Sequence, residues 1–195
     1  MRPGEAPVTP EASLAELDRM AVIALGSSLP GAYPTCEALL EAALDAMADF
    51  GIAVRARSSW WRSRAWPDPS RPEYLNGIAL ARPDAPPREL LRRLEALERS
   101  FGRRRGHANA DRTLDLDLIA HGRTCRQEAG LVLPHPRAAE RLFVMGPLAE
   151  IAPRWRHPES GETALELARR ATVGADAKPV APSRAALHNE AGNAI

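Results

Sequence analysis

Cysteine is nearly missing from this chain: 195 residues hold only Cys36 and Cys125, in neither a C-x-x-C pair nor a metal-ligand spacing. That excludes a disulfide scaffold and suits a reducing cytosol with both thiols free. An excess of charge of one sign is also missing. The formal net charge is +1, so nothing global argues for nucleic acid or an anionic membrane, and any basic function must come from local clustering. Long apolar runs are absent too. The first one, Met20 to Leu25, is far too short to cross a bilayer, and the opening MRPGEAPVTPEAS has no signal-peptide core. Lysine is nearly absent, Lys178 standing against abundant arginine, alanine and proline. This looks like coding bias and strips the arginine count of meaning. These absences lead to the expectation of a soluble cytoplasmic protein with neither membrane nor nucleic acid as partner.

What is present suits one domain. Residues 1–18 and 173–195 are poor in large apolar groups and read as flexible tails, leaving a domain over 19–172. Met20 to Leu25, ending at Gly26, reads as a buried strand. Thr35 to Phe50 carries Leu39, Leu40, Ala43, Leu44 and Met47 at helical spacing, with Thr35 as its cap and Gly51 as its stop. Ile52 to Ser63 alternates as a strand and Tyr74 to Ala81 reads as another. Pro87 to Phe101 is a helix stopped by Gly102, and Thr113 to Ala120 is a strand. From Arg137 the pattern is mixed, with Pro147 and Pro153 breaking it, before a short helix from Glu162 to Ala171. The β-α-β-β-α-β order gives an α+β, ferredoxin-like sandwich with helices on one face of a mainly antiparallel sheet.

The strongest local feature is Arg112-Thr113-Leu114-Asp115-Leu116-Asp117-Leu118. On a strand Asp115 and Asp117 share a face, about 6.5 Å apart, while the leucines take the other. Two parallel carboxylates suit Mg²⁺ that also binds substrate phosphates. An ordinary amphipathic strand would look the same. Just upstream lies Gly102-Arg103-Arg104-Arg105-Gly106, whose forked donors match phosphate oxygens, although three consecutive arginines are more often a solvated charge run. Metal, arginines and a loop between glycines together describe a phosphoryl-transfer site. No Walker or protein-kinase signature is present, so nucleotide binding here follows another design.

On these residues, from about Val22 to Ala171, the chain resembles the 6-hydroxymethyl-7,8-dihydropterin pyrophosphokinases. The resemblance rests on Leu25-Gly26-Ser27, Tyr74-Leu75-Asn76, Glu98 with Phe101-Gly102-Arg103, the Arg112 to Asp117 element, Leu133-Pro134-His135-Pro136, Arg141-Leu142-Phe143 and Pro147 to Pro153. It implies transfer of pyrophosphate from ATP to the pterin in folate biosynthesis, with AMP and the pterin diphosphate as products. It also implies two Mg²⁺ ions held by Asp115 and Asp117, with Arg103 and Arg112 joining them as catalytic residues. For ATP it implies Glu95, Glu98, Arg103, Arg105, Arg112, Leu118, His135 and Arg141. For the pterin it implies Ser63, Ala65, Trp66, Tyr74, Asn76 and Phe143.

Several positions depart from the family pattern: Ser28 stands where asparagine is usual, Asn109 and Asp111 alter a loop one residue short, and Gly130 and Val132 replace basic and hydroxyl residues. The metal pair and its arginines are intact. A paralogue that binds without transfer, with the altered loop as cause, is one alternative. An RNA-binding module is another, disfavoured by near-neutral charge, few aromatics and no RNP-type motif. The apolar faces are consumed by one core, which leads to the expectation of a monomer.

Overall fold

Ala21, Ile23 and Leu25 project to one side of the first strand and Val22 to the other, and all four are buried. Alternate side chains of a strand take opposite faces, so this sheet must be covered twice. The computed structural model describes residues 13–65, 67–102 and 113–180. A single turn, α1 (Leu14–Leu17), leads into β1 (Ala21–Ser27), α2 (Cys36–Ala46), β2 (Ala53–Arg57), β3 (Trp61–Ser63), β4 (Tyr74–Arg82), α3 (Pro87–Ser100) and β5 (Asp115–His121). The hairpin β6 (Arg126–Glu128) and β7 (Leu131–Leu133) follows, then α4 (Leu142–Ile151), α5 (Ala164–Arg170) and β8 (Lys178–Pro179). The central sheet runs β5-β1-β4-β3-β8, with β2 also on β4, and its pairings are antiparallel.

The expected β-α-β-β-α-β order is met, but the layers differ from expectation. One face carries α2 and α3, where Ile23, Leu25, Leu116 and Leu118 pack with Leu39, Leu40, Leu94 and Leu97. The other face is covered as well: Val22, Ile78, Leu80 and Ile119 meet Val144, Met145, Leu148, Trp155 and Leu167 around α4 and α5. A sheet with helices on both faces offers no open platform for RNA bases.

Local chemistry explains the elements. Thr35 Oγ1 accepts from Ala38 N at 3.1 Å and starts α2, and Gly51, at φ 70°, closes the short 3₁₀ turn after it. Pro87 opens α3. The segment from Ile52 to Ser63, expected as one strand, is broken at Ser58 to Trp60. Trp60 lies across Gly77, where a Cβ would sit 2.5 Å from its ring, and its Nε1 donates to Glu41 of α2 at 2.8 Å. Ser58 keeps the broken ladder paired, its N donating to Ile78 O at 2.9 Å and its Oγ accepting from Ile78 N at 3.0 Å. Helix α4 runs through Pro147, expected to break it. The residue before a proline resists the helical conformation partly through its own Cβ, and here it is Gly146, which has none and lies against Trp61.

Residues 13–18 and 173–180, expected within the tails, are part of the fold. Ser13 caps α1 and Leu17 is buried in the core. At the other end, Val173 to Val180 is built in: Val173 N donates to Glu140 O at 2.9 Å, β8 pairs with β3, and Val180 N donates to Trp60 O at 2.7 Å.

Candidate active site

The register of three neighbouring strands sets the floor of the site. Gly26 of β1 lies opposite Asp115 of β5 on one side and Asn76 of β4 on the other. The next facing position of β1, Ala24, is opposite Asp117. Glycine at 26 leaves the row between carboxylate and amide open, since a Cβ there would already reach to 3.5 Å from Asn76 Oδ1 and 4.0 Å from Asp115 Cβ. Leu114, Leu116 and Leu118 turn to the opposite, closed face. The aspartate pair therefore faces the side covered by α4, as alternation requires.

Around this floor opens a pocket of about 590 Å³. It gathers Ser63, Ala65, Tyr74, Asn76 and Phe143 of the expected pterin set together with Asp115, Asp117, His135 and Arg141. Asn76 is 8% exposed, and its Nδ2 donates to Ser63 Oγ at 3.1 Å. Phe143 lies in the first turn of α4, with the Arg141 guanidinium 5.5 Å from its ring centroid. His135 is fastened to the back of β5, its N donating to Ile119 O at 2.8 Å. Burial pushes the His135 imidazole below its ordinary value; Asp117 opposes this, while Arg141 and Arg137 reinforce it. Arg141 is pushed down in the same way by burial and by Arg137, against Asp117 and Asp115. Acid, imidazole and guanidinium thus act on one another across the pocket.

Three expected residues lie elsewhere. Leu118, 5% exposed, puts its side chain in the core beneath α3. Glu98, 3% exposed, lies below the strand, and its carboxylate accepts from Leu116 N at 2.7 Å. Glu95 is exposed on α3 within 4.0 Å of Arg99. Trp66, Arg103, Arg105 and Arg112, as well as Asn109 and Asp111, fall outside the described residues. Sequence reading missed Arg64, Asp68, Arg71 and Arg137, which also line the pocket. Arg137 was findable, two residues beyond His135 in a motif already singled out. The loop between β3 and β4 has no periodicity to betray the other three. Gly130, flagged as a departure, is the turn of the β6–β7 hairpin at φ 74°, a conformation that favours glycine.

Two carboxylates on one face, with hard oxygen donors, fit Mg²⁺. That ion takes one or two protein carboxylates and leaves its remaining octahedral positions to phosphate oxygens and water. Among the described residues no cluster of three or more His, Cys, Asp or Glu forms an all-protein metal cage, and no helix is long and apolar enough to cross a membrane.

Comparison with known proteins agrees with this geometry. Residues 22–153 match the family model described as 7,8-dihydro-6-hydroxymethylpterin-pyrophosphokinase. A 2-amino-4-hydroxy-6-hydroxymethyldihydropteridine pyrophosphokinase of Synechocystis is 44% identical over 163 residues, covering 83% of this chain and 80% of that protein. The protein of the same name from Haemophilus influenzae is 35% identical over 133 residues, covering 68% and 81%. Among solved structures, wild-type HPPK-DHPS of Plasmodium falciparum shares the fold with a TM-score of 0.59 at 10% identity. The match covers 77% of this chain and 44% of that longer one. By the family match and by its relatives alike, the chain belongs to the 7,8-dihydro-6-hydroxymethylpterin pyrophosphokinase family.

Proposed function

We propose that this chain transfers the pyrophosphoryl group of ATP to 6-hydroxymethyl-7,8-dihydropterin, the step of folate biosynthesis after which its family is named. The observation that carries the reading is the row Asp115, Gly26, Asn76, which sets a pair of carboxylates beside a slot lined by an amide and an aromatic ring. In the reaction the substrate's hydroxymethyl oxygen bonds to the β-phosphorus of ATP and gives up its proton. The bond from that phosphorus to the oxygen of the α-phosphate breaks, and AMP departs with the electron pair. No protein nucleophile is required.

Each side chain has a task in this chemistry. Asn76 reads the pterin edge, its amide oriented by Ser63, while Phe143 and Tyr74 supply aromatic faces and Ala65 lines the slot. Arg141 and Arg137 bring positive charge toward the phosphates, and His135, kept neutral by burial, offers a hydrogen bond to the nucleotide without adding charge. Arg103, Arg105 and Arg112 complete the phosphate-binding set. Asp115 and Asp117 would hold two Mg²⁺ ions, which when bound neutralise phosphate charge and favour loss of the acceptor proton. Glu98 holds the strand that carries this pair rather than touching ATP. The working unit runs from α1 to β8 and acts as a monomer, its apolar strand and helix faces being consumed within the cores of one chain. Free thiols and an ATP co-substrate suit the cytoplasm.

The test is direct. Incubated with ATP, Mg²⁺ and the reduced pterin, the protein should release one AMP per pterin diphosphate formed. Formation of ADP, or no nucleotide product at all, would overturn the reading.

A further inference from the structure

We infer that the segment Val173–Val180, which lies beyond the family match, positions the pterin slot by tying its two walls together, with Gly174 and Asp176 as the residues that set its width. The inference rests on the assignment of Phe143 and Asn76 to the pterin end of the pocket. One wall is the start of α4: Leu142 N donates to Val173 O at 2.8 Å and Val173 N to Glu140 O at 2.9 Å, so the segment is stitched to the residues just before Phe143. Gly174, at φ 67°, lies directly against the Phe143 ring, and a Cβ there would run into Cδ1 and Cε1. The other wall is β3 and the residues after it. Asp176 Oδ2 accepts from Arg64 N at 2.7 Å, between the slot residues Ser63 and Ala65. Lys178 and Pro179 then pair with Arg62 and Trp61.

Phe143 thus has a backstop, and the wall carrying Ser63, and through it the Asn76 amide, is tied to the same backstop. A ring free to rotate or retreat stacks poorly, and stacking and edge contacts depend on sub-ångström placement. Gly174 bears on Phe143 and Asp176 on Arg64 N, whereas Arg141 is reached only by the neighbouring Val173, so their influence falls first on the pterin.

The test measures KM for both substrates, kcat and melting for Gly174→Ala, Asp176→Ala, Asp176→Asn and Phe143→Ala. Gly174→Ala, which forces Phe143 to move, should raise the pterin KM on the order of tenfold, and Asp176→Ala about threefold. The ATP KM should stay within about twofold of wild type in both. Asp176→Asn keeps an oxygen to accept from Arg64 N and should restore the pterin KM. Asp176→Ala leaves the backbone alone and keeps the inference testable should Gly174→Ala fold poorly. An unchanged pterin KM in Asp176→Ala beside a raised one in Phe143→Ala would overturn the inference and leave the pterin assignment standing. Equal rises for ATP and pterin would mean general loosening and would also overturn it. An unchanged pterin KM in Phe143→Ala would bring down the assignment and the inference together.

Discussion

The two faces of the central sheet solve different problems with the same strands. Beneath α2 and α3 the face is closed, and Leu39, Leu94, Leu97, Leu114 and Leu116 fill it almost without exposure. Above, α4 and α5 cover only part of the strands, and the uncovered end holds the pocket with its aspartates, amide, imidazole and guanidinium. Strand β5 belongs to both at once, leucine down and aspartate up. One face therefore supplies stability and the other gathers charged and polar groups for chemistry.

Substitutions on the two faces should separate these roles. The largest effect belongs to the closed face: Leu94→Ala should cost about 2 to 5 kcal/mol of folding stability, because a fully buried leucine leaves a cavity. Denaturant titration measures it, and kcat per folded molecule should be near wild type. On the open face Asp115→Ala and Asp117→Ala should do the reverse. If each ligand contributes about 3 kcal/mol in the transition state, turnover falls on the order of a hundredfold. Melting in EDTA should be unchanged or slightly higher, since removing either carboxylate relieves repulsion of up to about 2.5 kcal/mol at the 6.5 Å spacing of strand neighbours. Near-normal kcat at saturating Mg²⁺ in both variants would erase the distinction between the faces.

Smaller effects sharpen the picture within the pocket. Asn76→Ala should weaken pterin binding by about 1 to 3 kcal/mol, with ATP affinity nearly unchanged, by leaving pterin groups unpaired. Titration of pterin in the presence of a non-hydrolysable ATP analogue reads this.

The smallest effect lies outside the pocket, at His157 beneath α5. Burial holds its imidazole below the ordinary 6.5, against the pull of Glu159 and Glu162 and with help from Arg123 and Arg170. The folded protein therefore binds this proton less readily than the unfolded chain. Its contribution to stability is present above pH 6.5 and is lost as pH falls toward the lowered folded value. His157→Asn keeps an acceptor for Ser160 N and should flatten melting temperature against pH in that acid range.

The closed face was largely legible in the sequence because local periodicity builds it. The leucines of α2 and α3 recur at helical spacing and those of β5 at strand spacing, and no distant partner is needed to recognise either. The aspartate pair came with them, being the other half of the same alternation. The rest of the open face was legible only through resemblance. Helix α4 was hidden by Pro147, whose tolerance depends on Gly146 and on Trp61 from another strand. The break at Ser58 to Trp60 depends on Gly77, a neighbour only after β4 has paired. Val173 to Val180 looked like a tail because it has few apolar groups, and its attachment is made of backbone hydrogen bonds and one carboxylate. The resemblance assigns Glu98 to ATP, and its hydrogen bond from Leu116 N can be seen only once α3 and β5 have packed together.

The pairing of Lys178 and Pro179 with Trp61 and Arg62 also bears on how these molecules behave toward one another in a crowded solution. A β-sheet margin with vacant amide and carbonyl groups is a template on which a second molecule can add a strand, the usual first step toward open-ended association. Here the β3 margin is already taken by a strand of only two residues, and the last of them, Pro179, has no N–H to offer the next chain. Truncation before Lys178 would uncover that margin, so the short strand also guards the protein against aggregation at this edge.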